Sequence, residues 1–267
     1  MKYLKVIRNL IIFACAYSVI LYITQERFYL NPDKEYISPK KCGMPLFKEV
    51  TFKTEDGLSI MNWYIKGDKN KPAILFFHGN RAQIAEFAPL LNPYIKNGFS
   101  VMMSEYRGFG ASEGSFNQEN MYKDAEKAYD YLKHYLKHED IFVFGYSLGT
   151  APASYLASAK NPTGIILLAP FYSLKDIAGE KYIPLAKYII KYDMPSYKFI
   201  EKYRGPLLIV HGENDLLIPY HHSKNLYNIS KSEKRKLIIL PKLAHNDLFF
   251  NDKGGHPYII NWINKDL

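Results

Sequence analysis

The sequence predicts an α/β protein: a mostly parallel central sheet, entered through an antiparallel N-terminal hairpin, with helices on both faces. Three observations carry this. Short apolar runs without alternation recur along the chain, the pattern of strands buried on both faces of a parallel sheet. Stretches of helical period lie between them. Ahead of them, two partly alternating segments flank a turn, the pattern of a hairpin. At 267 residues, 48% hydrophobic and 23% charged, the chain has the length and composition of a globular domain. Disordered and collagen-like chains are excluded. The two cysteines, Cys15 and Cys42, are too few for a disulfide scaffold or a Cys-x-x-Cys metal site.

The first element is apolar. Lys2, Lys5 and Arg8 precede an apolar run over residues 10–23, and Gln25, Glu26 and Arg27 close it. Val6 and Ile7 lengthen the run toward the ~20 residues of a spanning helix, with Arg8 able to snorkel to the interface. Residues 1–26 therefore read as an N-terminal membrane anchor and 27–267 as the globular domain. The rival is a signal peptide cut near Ala14-Cys15-Ala16, which would release a secreted domain. That cut would leave residues 17–23 as an apolar stub, whereas an anchor accounts for the whole run. A buried helix and a lipid-modified Cys15 are further alternatives. The positive charges ahead of the run put the N-terminus in the cytosol and the domain on the non-cytosolic side.

Residues 31–46, with Pro32, Pro39 and Pro45, read as a connector. Segments 47–52 and 58–65, joined by Glu55-Asp56-Gly57, read as the hairpin. The runs at 73–77, 99–106, 141–144, 164–168, 207–210 and 237–240 read as the remaining strands. The clearest helix carries Met121, Ala125, Ala128, Leu132, Tyr135 and Leu136 on one face. Residues 171–205 read as a small cap, rich in Tyr, Ile and Lys, with an apolar cluster of Tyr182, Ile183, Pro184, Leu185, Tyr188, Ile189 and Ile190. The cluster reads as amphipathic helices covering the sheet end, or as an acyl-chain surface close to a bilayer. The net charge is +9, from 35 Lys+Arg and 26 Asp+Glu. The lysines are scattered and no basic run is interleaved with aromatics, so a nucleic-acid partner is not expected.

The chemistry gathers at strand ends. The run 141–144 leads into Gly145-Tyr146-Ser147-Leu148-Gly149 and then into a helix-compatible stretch. A serine between two glycines on a sharp strand–turn–helix junction is thrust up at the sheet edge, and the following helix N-terminus faces developing negative charge. A serine needs a base, and the base needs an orienting group. In this architecture acid and base follow the nucleophile in the order Ser, Asp/Glu, His. Asp215 falls in the loop after the run at 207–210, and His245 in the loop after 237–240. The expected catalytic residues are thus Ser147, Asp215 and His245, with Glu213 and Asp247 as rival carboxylates. Asp247 is expected to brace its own loop. The backbone N–H of Leu148 is expected as one oxyanion donor and that of Asn80, in Phe76-Phe77-His78-Gly79-Asn80-Arg81, as the other. His78 precedes the nucleophile and reads as a buttress. His134 and His138 lack a third metal ligand and read as a solvated face, and His221-His222 as surface. No phosphate loop, dinucleotide fingerprint or metal pattern is present, so no cofactor and no metal are expected.

The set Phe77-His78-Gly79-Asn80, Tyr106-Arg107-Gly108-Phe109-Gly110, Gly145-Tyr146-Ser147-Leu148-Gly149, His211-Gly212-Glu213-Asn214-Asp215 and His245-Asn246-Asp247 resembles the α/β-hydrolase superfamily. Within it the chain looks like the small N-terminally anchored serine hydrolases, the bud-emergence-type and α/β-hydrolase-domain proteins. The resemblance spans roughly residues 27–265 and implies the α/β-hydrolase fold. It also implies a Ser147–Asp215–His245 triad, no cofactor, and a small-molecule, lipid or acylated-protein substrate cleaved at an ester or thioester. A peptidase on the same fold and a non-catalytic membrane-tethered binding protein are the alternatives. Two positions depart from the family pattern: Glu105 stands where Asp usually precedes Tyr-Arg-Gly, and Ala244 where Gly usually precedes the histidine.

Overall fold

The computed structural model describes residues 2–26, 30–181, 184–251 and 253–265. Its strands are β1 (Lys48–Lys53), β2 (Ser59–Ile65), β3 (Ala73–Phe77), β4 (Ser100–Ser104), β5 (Ile141–Tyr146), β6 (Gly164–Leu168), β7 (Leu207–Gly212) and β8 (Arg235–Leu240). They form an eight-stranded sheet in the order β8-β7-β6-β5-β3-β4-β2-β1. The pairs β1–β2 and β2–β4 are antiparallel and the other five are parallel. The order reverses at β3, which has β4 on one side and β5 on the other. The crevice beyond the carboxyl ends of β3 and β5 is where such a sheet binds ligands.

Each central strand divides its side chains between two cores. Leu75, Val143, Ile165 and Ile209 enter one, while Phe76, Phe144, Ile166 and Val210 enter the other. This is why those runs show no polar alternation: both faces of the pleat are covered. The helices of eight residues or more are α1 (Lys2–Thr24), α2 (Gln118–Asp130), α3 (Thr150–Lys160), α4 (Leu174–Lys181), α5 (His221–Ile229) and α6 (His256–Lys265). On the first face lie α2, α3 and α5, through Ala125, Leu156 and Leu226. On the second lie α6 and the short turns over Ile84–Lys96, through Trp262, Leu91 and Tyr94. Asn117 caps α2 by accepting from the Glu119 and Asn120 amides, and Asn161 ends α3 in the left-handed region at φ 46°. Arg107, after β4, ties α2 to the sheet through two bonds to Asp124 and a third to Asp56.

Four expectations need correction. The helical face does not persist to Tyr135, which is exposed. After α2 the chain passes into a π-turn over Tyr131–Tyr135, and the Leu136 amide bonds to the Tyr131 carbonyl five residues back. The extra residue rotates the following side chains off the buried stripe. The last strand is an edge and is only half-buried, since among the described residues nothing pairs beyond β8. His222 is buried rather than on the surface, and its Nδ1 accepts from the Tyr172 amide. Residues 31–46 are not a free connector. Asn31–Pro32 pairs with Arg81–Ala82, and the Gly110 amide bonds to the Asp33 carbonyl. In the cap, Tyr182 and Ile183 of the expected apolar cluster lie outside the described residues.

Candidate active site

Ser147 stands where β5 meets α3. Its φ is +52°, a left-handed conformation that non-glycine residues seldom adopt and that tends to mark functional turns. The turn is tight enough to demand its glycines. A Cβ on Gly145 would run into the Gly149 carbonyl, and one on Gly149 into the Phe77 carbonyl. Thr150, in the first turn of α3, donates its hydroxyl to the Ser147 carbonyl at 2.6 Å.

Asp215 and His245 reach the same point from neighbouring strands. The loops after β7 and β8 are bound together, with the Glu213 amide on the Leu240 carbonyl and the Asn214 amide on the Leu243 carbonyl. His245 Nε2 lies 3.0 Å from Ser147 Oγ, and its Nδ1 lies 2.6 Å from Asp215 Oδ2. An acceptor-only carboxylate on Nδ1 fixes the proton there, which leaves Nε2 to accept from the serine hydroxyl. All three side chains are buried. Of the rival carboxylates, Glu213 is exposed, and Asp247 accepts from the Ala244 amide at 2.9 Å within its own loop.

Asp215 is held by four donors. Oδ1 accepts from the Leu217 and Ile218 amides, both at 2.8 Å, and Oδ2 from His245 and from His211 Nε2 at 3.1 Å. Burial alone would raise its pKa, but the bonds from His211 and His245 outweigh burial and hold the carboxyl well below its ordinary range. His211 was absent from the residues expected above. Its Nε2 also faces the Ile218 carbonyl at 2.8 Å, so that nitrogen carries a proton, while Nδ1 meets the Ser223 hydroxyl at 2.6 Å. In the sequence it stands at the end of β7 and opens the motif His211-Gly212-Glu213-Asn214-Asp215, with no role read from either; Ser223 arrives from α5 by folding alone.

The loop after β3 faces the serine. An ideal Cβ on Gly79 would sit 3.7 Å from Ser147 Cβ, and Asn80 and Leu148 line the same cleft as Ser147 and His245. His78 lies beneath this loop, with Nε2 2.6 Å from Glu105 Oε1. Glu105 Oε2 accepts from the Ile84 amide, and the Tyr106 hydroxyl donates to the His78 carbonyl. His78 thus buttresses the loop, and the longer Glu105 side chain still reaches both partners. The cleft holds about 480 Å3. Phe87, Phe171, Leu174, Ile177, Ile190 and Ile218 form much of its wall, with Glu86 and Lys181 among its charged groups.

Two other histidine groups stand apart. His134 is exposed, and the Tyr64 hydroxyl lies 2.9 Å from His138 Nε2. Glu180 of α4 meets His221 and His222 at 3.2 and 3.3 Å, a cluster within reach of one ion. The Tyr172 amide on His222 Nδ1 leaves the proton of a neutral imidazole on Nε2, where it donates to Glu180. His222 therefore offers no lone pair to an ion in this arrangement, and the cluster ties the cap helix to α5.

Known proteins place this architecture. Residues 68–200 match the serine aminopeptidase S33 family, Hydrolase_4. The YfhR protein of Escherichia coli K12 is 30% identical over 242 residues, 86% of this chain and 83% of that protein. A membrane protein of Saccharomyces cerevisiae, YNL320W, is 26% identical over 224 residues, 80% of this chain and 78% of the yeast one. Among solved structures, the Pyrococcus furiosus esterase Pf2001 superposes with a TM-score of 0.73 at 19% identity, over 89% of this chain and 98% of the esterase.

Proposed function

Since the chain belongs to the α/β-hydrolase superfamily, in one group with the YfhR proteins, we propose that it is a serine hydrolase cleaving an ester or thioester through an acyl-enzyme. The observation that carries this reading is the unbroken hydrogen-bonded line from Ser147 through His245 to Asp215 at the mouth of an apolar cleft. Ser147 Oγ attacks the acyl carbon as its proton passes to His245 Nε2. The carbonyl π pair moves onto oxygen, and the oxyanion is met by the backbone N–H groups of Leu148 and Asn80. His245 then protonates the departing alkoxide or thiolate, and the bond from the acyl carbon to the leaving group breaks. Water, deprotonated by the same imidazole, then attacks the acyl carbon; the bond from that carbon to Ser147 Oγ breaks as His245 returns the proton to Oγ, and the acid is released. Asp215 keeps the imidazole in the required tautomer and stabilises imidazolium.

Much of the cleft wall is apolar, which favours a fatty acyl ester or thioester over a polar peptide. The aminopeptidase description of the matched family supports a second reading, in which a substrate ammonium would sit against Glu86 in the cleft lining. The two part on paired acyl esters and aminoacyl anilides. We assign α1 to a membrane anchor. Within Tyr3–Thr24, an 18-residue stretch has a mean hydropathy of 2.0, and none of that stretch is buried in the domain. Lys2, Lys5 and Arg8, ahead of the apolar run over residues 10–23, orient the domain to the non-cytosolic side.

The test is labelling of the full chain with a fluorophosphonate, which reacts with an activated serine. The parent is expected to label, and Ser147→Ala and His245→Ala are not. An unlabelled but folded parent would sink the hydrolase reading and favour a binding protein on the same fold.

A further inference from the structure

The anchor helix does not leave the domain through a slack tether. Directly after Thr24, the Gln25 side chain donates through Nε2 to the Ile189 carbonyl at 3.1 Å and accepts from the Lys191 amide at 2.7 Å. Its amide group thus pairs with backbone on both sides of Ile190. Glu26 Oε1 accepts from Lys191 Nζ at 2.6 Å and from the Tyr192 hydroxyl at 2.7 Å. Burial opposes the Glu26 charge, yet the bonds from Lys191 and Tyr192 hold its pKa below the ordinary value. Ile190, gripped between these contacts, lines the cleft that contains Ser147 and His245.

This geometry fixes where the cleft lies. A helix rises about 1.5 Å per residue, so Gln25 and Glu26 lie within about 3 Å, along the axis, of the last residue of the apolar span. A cap bonded to them sits at the surface of the phase that holds the span. The neighbouring surface suits that position: Tyr188 is 73% exposed, with Lys187 Nζ 5.0 Å from its ring centre. Tyrosine and lysine are the side chains that favour the boundary between hydrocarbon and water. At the cleft, Leu217 and Phe250 are half-exposed, an apolar lip that a purely aqueous substrate would not require.

We propose that anchor and cap act as one unit that sets the mouth of the cleft on the bilayer surface, so that the substrate is a long-chain acyl ester or thioester drawn from the lipid phase. This rests on the serine hydrolase reading. Gln25 and Glu26 are positioning residues that act through Ile190 and the cap.

The experiment uses the full chain in phosphatidylcholine–phosphatidylglycerol vesicles. Three substrates are compared: water-soluble p-nitrophenyl butyrate, a fluorogenic long-chain monoacylglycerol in the bilayer, and a bilayer-bound S-palmitoylated peptide. The parent is expected to cleave the butyrate and at least one bilayer substrate, and which one identifies the acyl donor. Replacing Gln25→Ala together with Glu26→Ala should leave butyrate hydrolysis within about twofold. The same change should lower kcat/KM on the bilayer substrate about tenfold, mainly through KM. The charge exchange Glu26→Lys with Lys191→Glu should recover most of that loss. Equal loss on all substrates, no loss on the bilayer substrate, loss that the exchange does not repair, or a parent that cleaves only butyrate would each overturn the proposal. The hydrolase reading fails separately, by a parent inactive on butyrate or by Ser147→Ala remaining active.

Discussion

In the proposed reaction Asp215 does not meet the substrate, yet it sets what His245 can do. Its oxygens are saturated by two amides and two imidazoles, so it holds Nδ1–H of His245 in place and stays ionised while buried. Asp215→Asn would put an amide against that nitrogen and favour the wrong tautomer. We expect kcat on a short ester to fall about 10^4-fold, with fluorophosphonate labelling slowed in parallel. The depressed pKa also has a consequence for stability. A carboxylate whose folded pKa lies below its unfolded value of about 3.9 stabilises the fold fully above about pH 4. That contribution is lost as the pH falls from there through the lowered folded value. Urea midpoints at about pH 5 and about pH 3 should therefore differ more in the parent than in Asp215→Asn. An equal difference in the two proteins would remove Asp215 from the acid-sensitive groups. Ser147 raises the same question of backbone cost: its positive φ is tolerated because the strand before it and the helix after it overdetermine the turn.

At the scale of elements, the site is a set of junctions. β3 supplies the Gly79–Asn80 loop, β5 the serine turn, β7 the carboxylate and β8 the imidazole. Their convergence follows from the sheet, because four parallel strands deliver their carboxyl ends to one edge. The β5–α3 junction has the least slack, since Gly149 packs against the carbonyl of Phe77 at the end of β3. Gly149→Ala should push α3 away from β3, cost about 3 kcal/mol of stability, and abolish labelling of Ser147. Denaturant unfolding and probe labelling of one preparation check both. Labelling at the parent rate would mean the turn has room that its backbone does not suggest. The π-turn after α2 shows the opposite case, in which one added residue leaves Leu132 in the core and turns Tyr135 out to solvent without disturbing the sheet.

For the molecule as a whole, the question is what the N-terminal helix does for the domain. The full chain should float with vesicles through a density gradient after a carbonate wash, and a chain lacking residues 1–26 should remain at the bottom. Flotation of the shortened chain would assign membrane binding to the domain surface instead. Residues 31–46 and the cap also act at this scale. The Asn31–Pro32 bridge to Arg81–Ala82 holds the chain entry against the loop that contains Asn80. The Glu180 cluster with His221 and His222 joins the cap helix to α5. The cleft is thus enclosed by segments from distant parts of the chain.

The sequence by itself determines the strands, because burial on both faces leaves unbroken apolar runs and a hairpin leaves alternation. It also determines the α/β-hydrolase fold and the order of Ser147, Asp215 and His245, since each follows a run that ends in a loop. Edge status, in contrast, depends on what a strand pairs with, so the half-exposed face of β8 became visible only in the sheet. His222 is buried because Tyr172 and Glu180 come to it from other segments. The second imidazole on Asp215, and Ser223 behind it, depend on α5 packing beside β7. The grip of Gln25 and Glu26 on the cap joins residues more than a hundred and sixty positions apart. Local pattern records what a residue needs from its surroundings. Only the tertiary structure decides which distant residue supplies it.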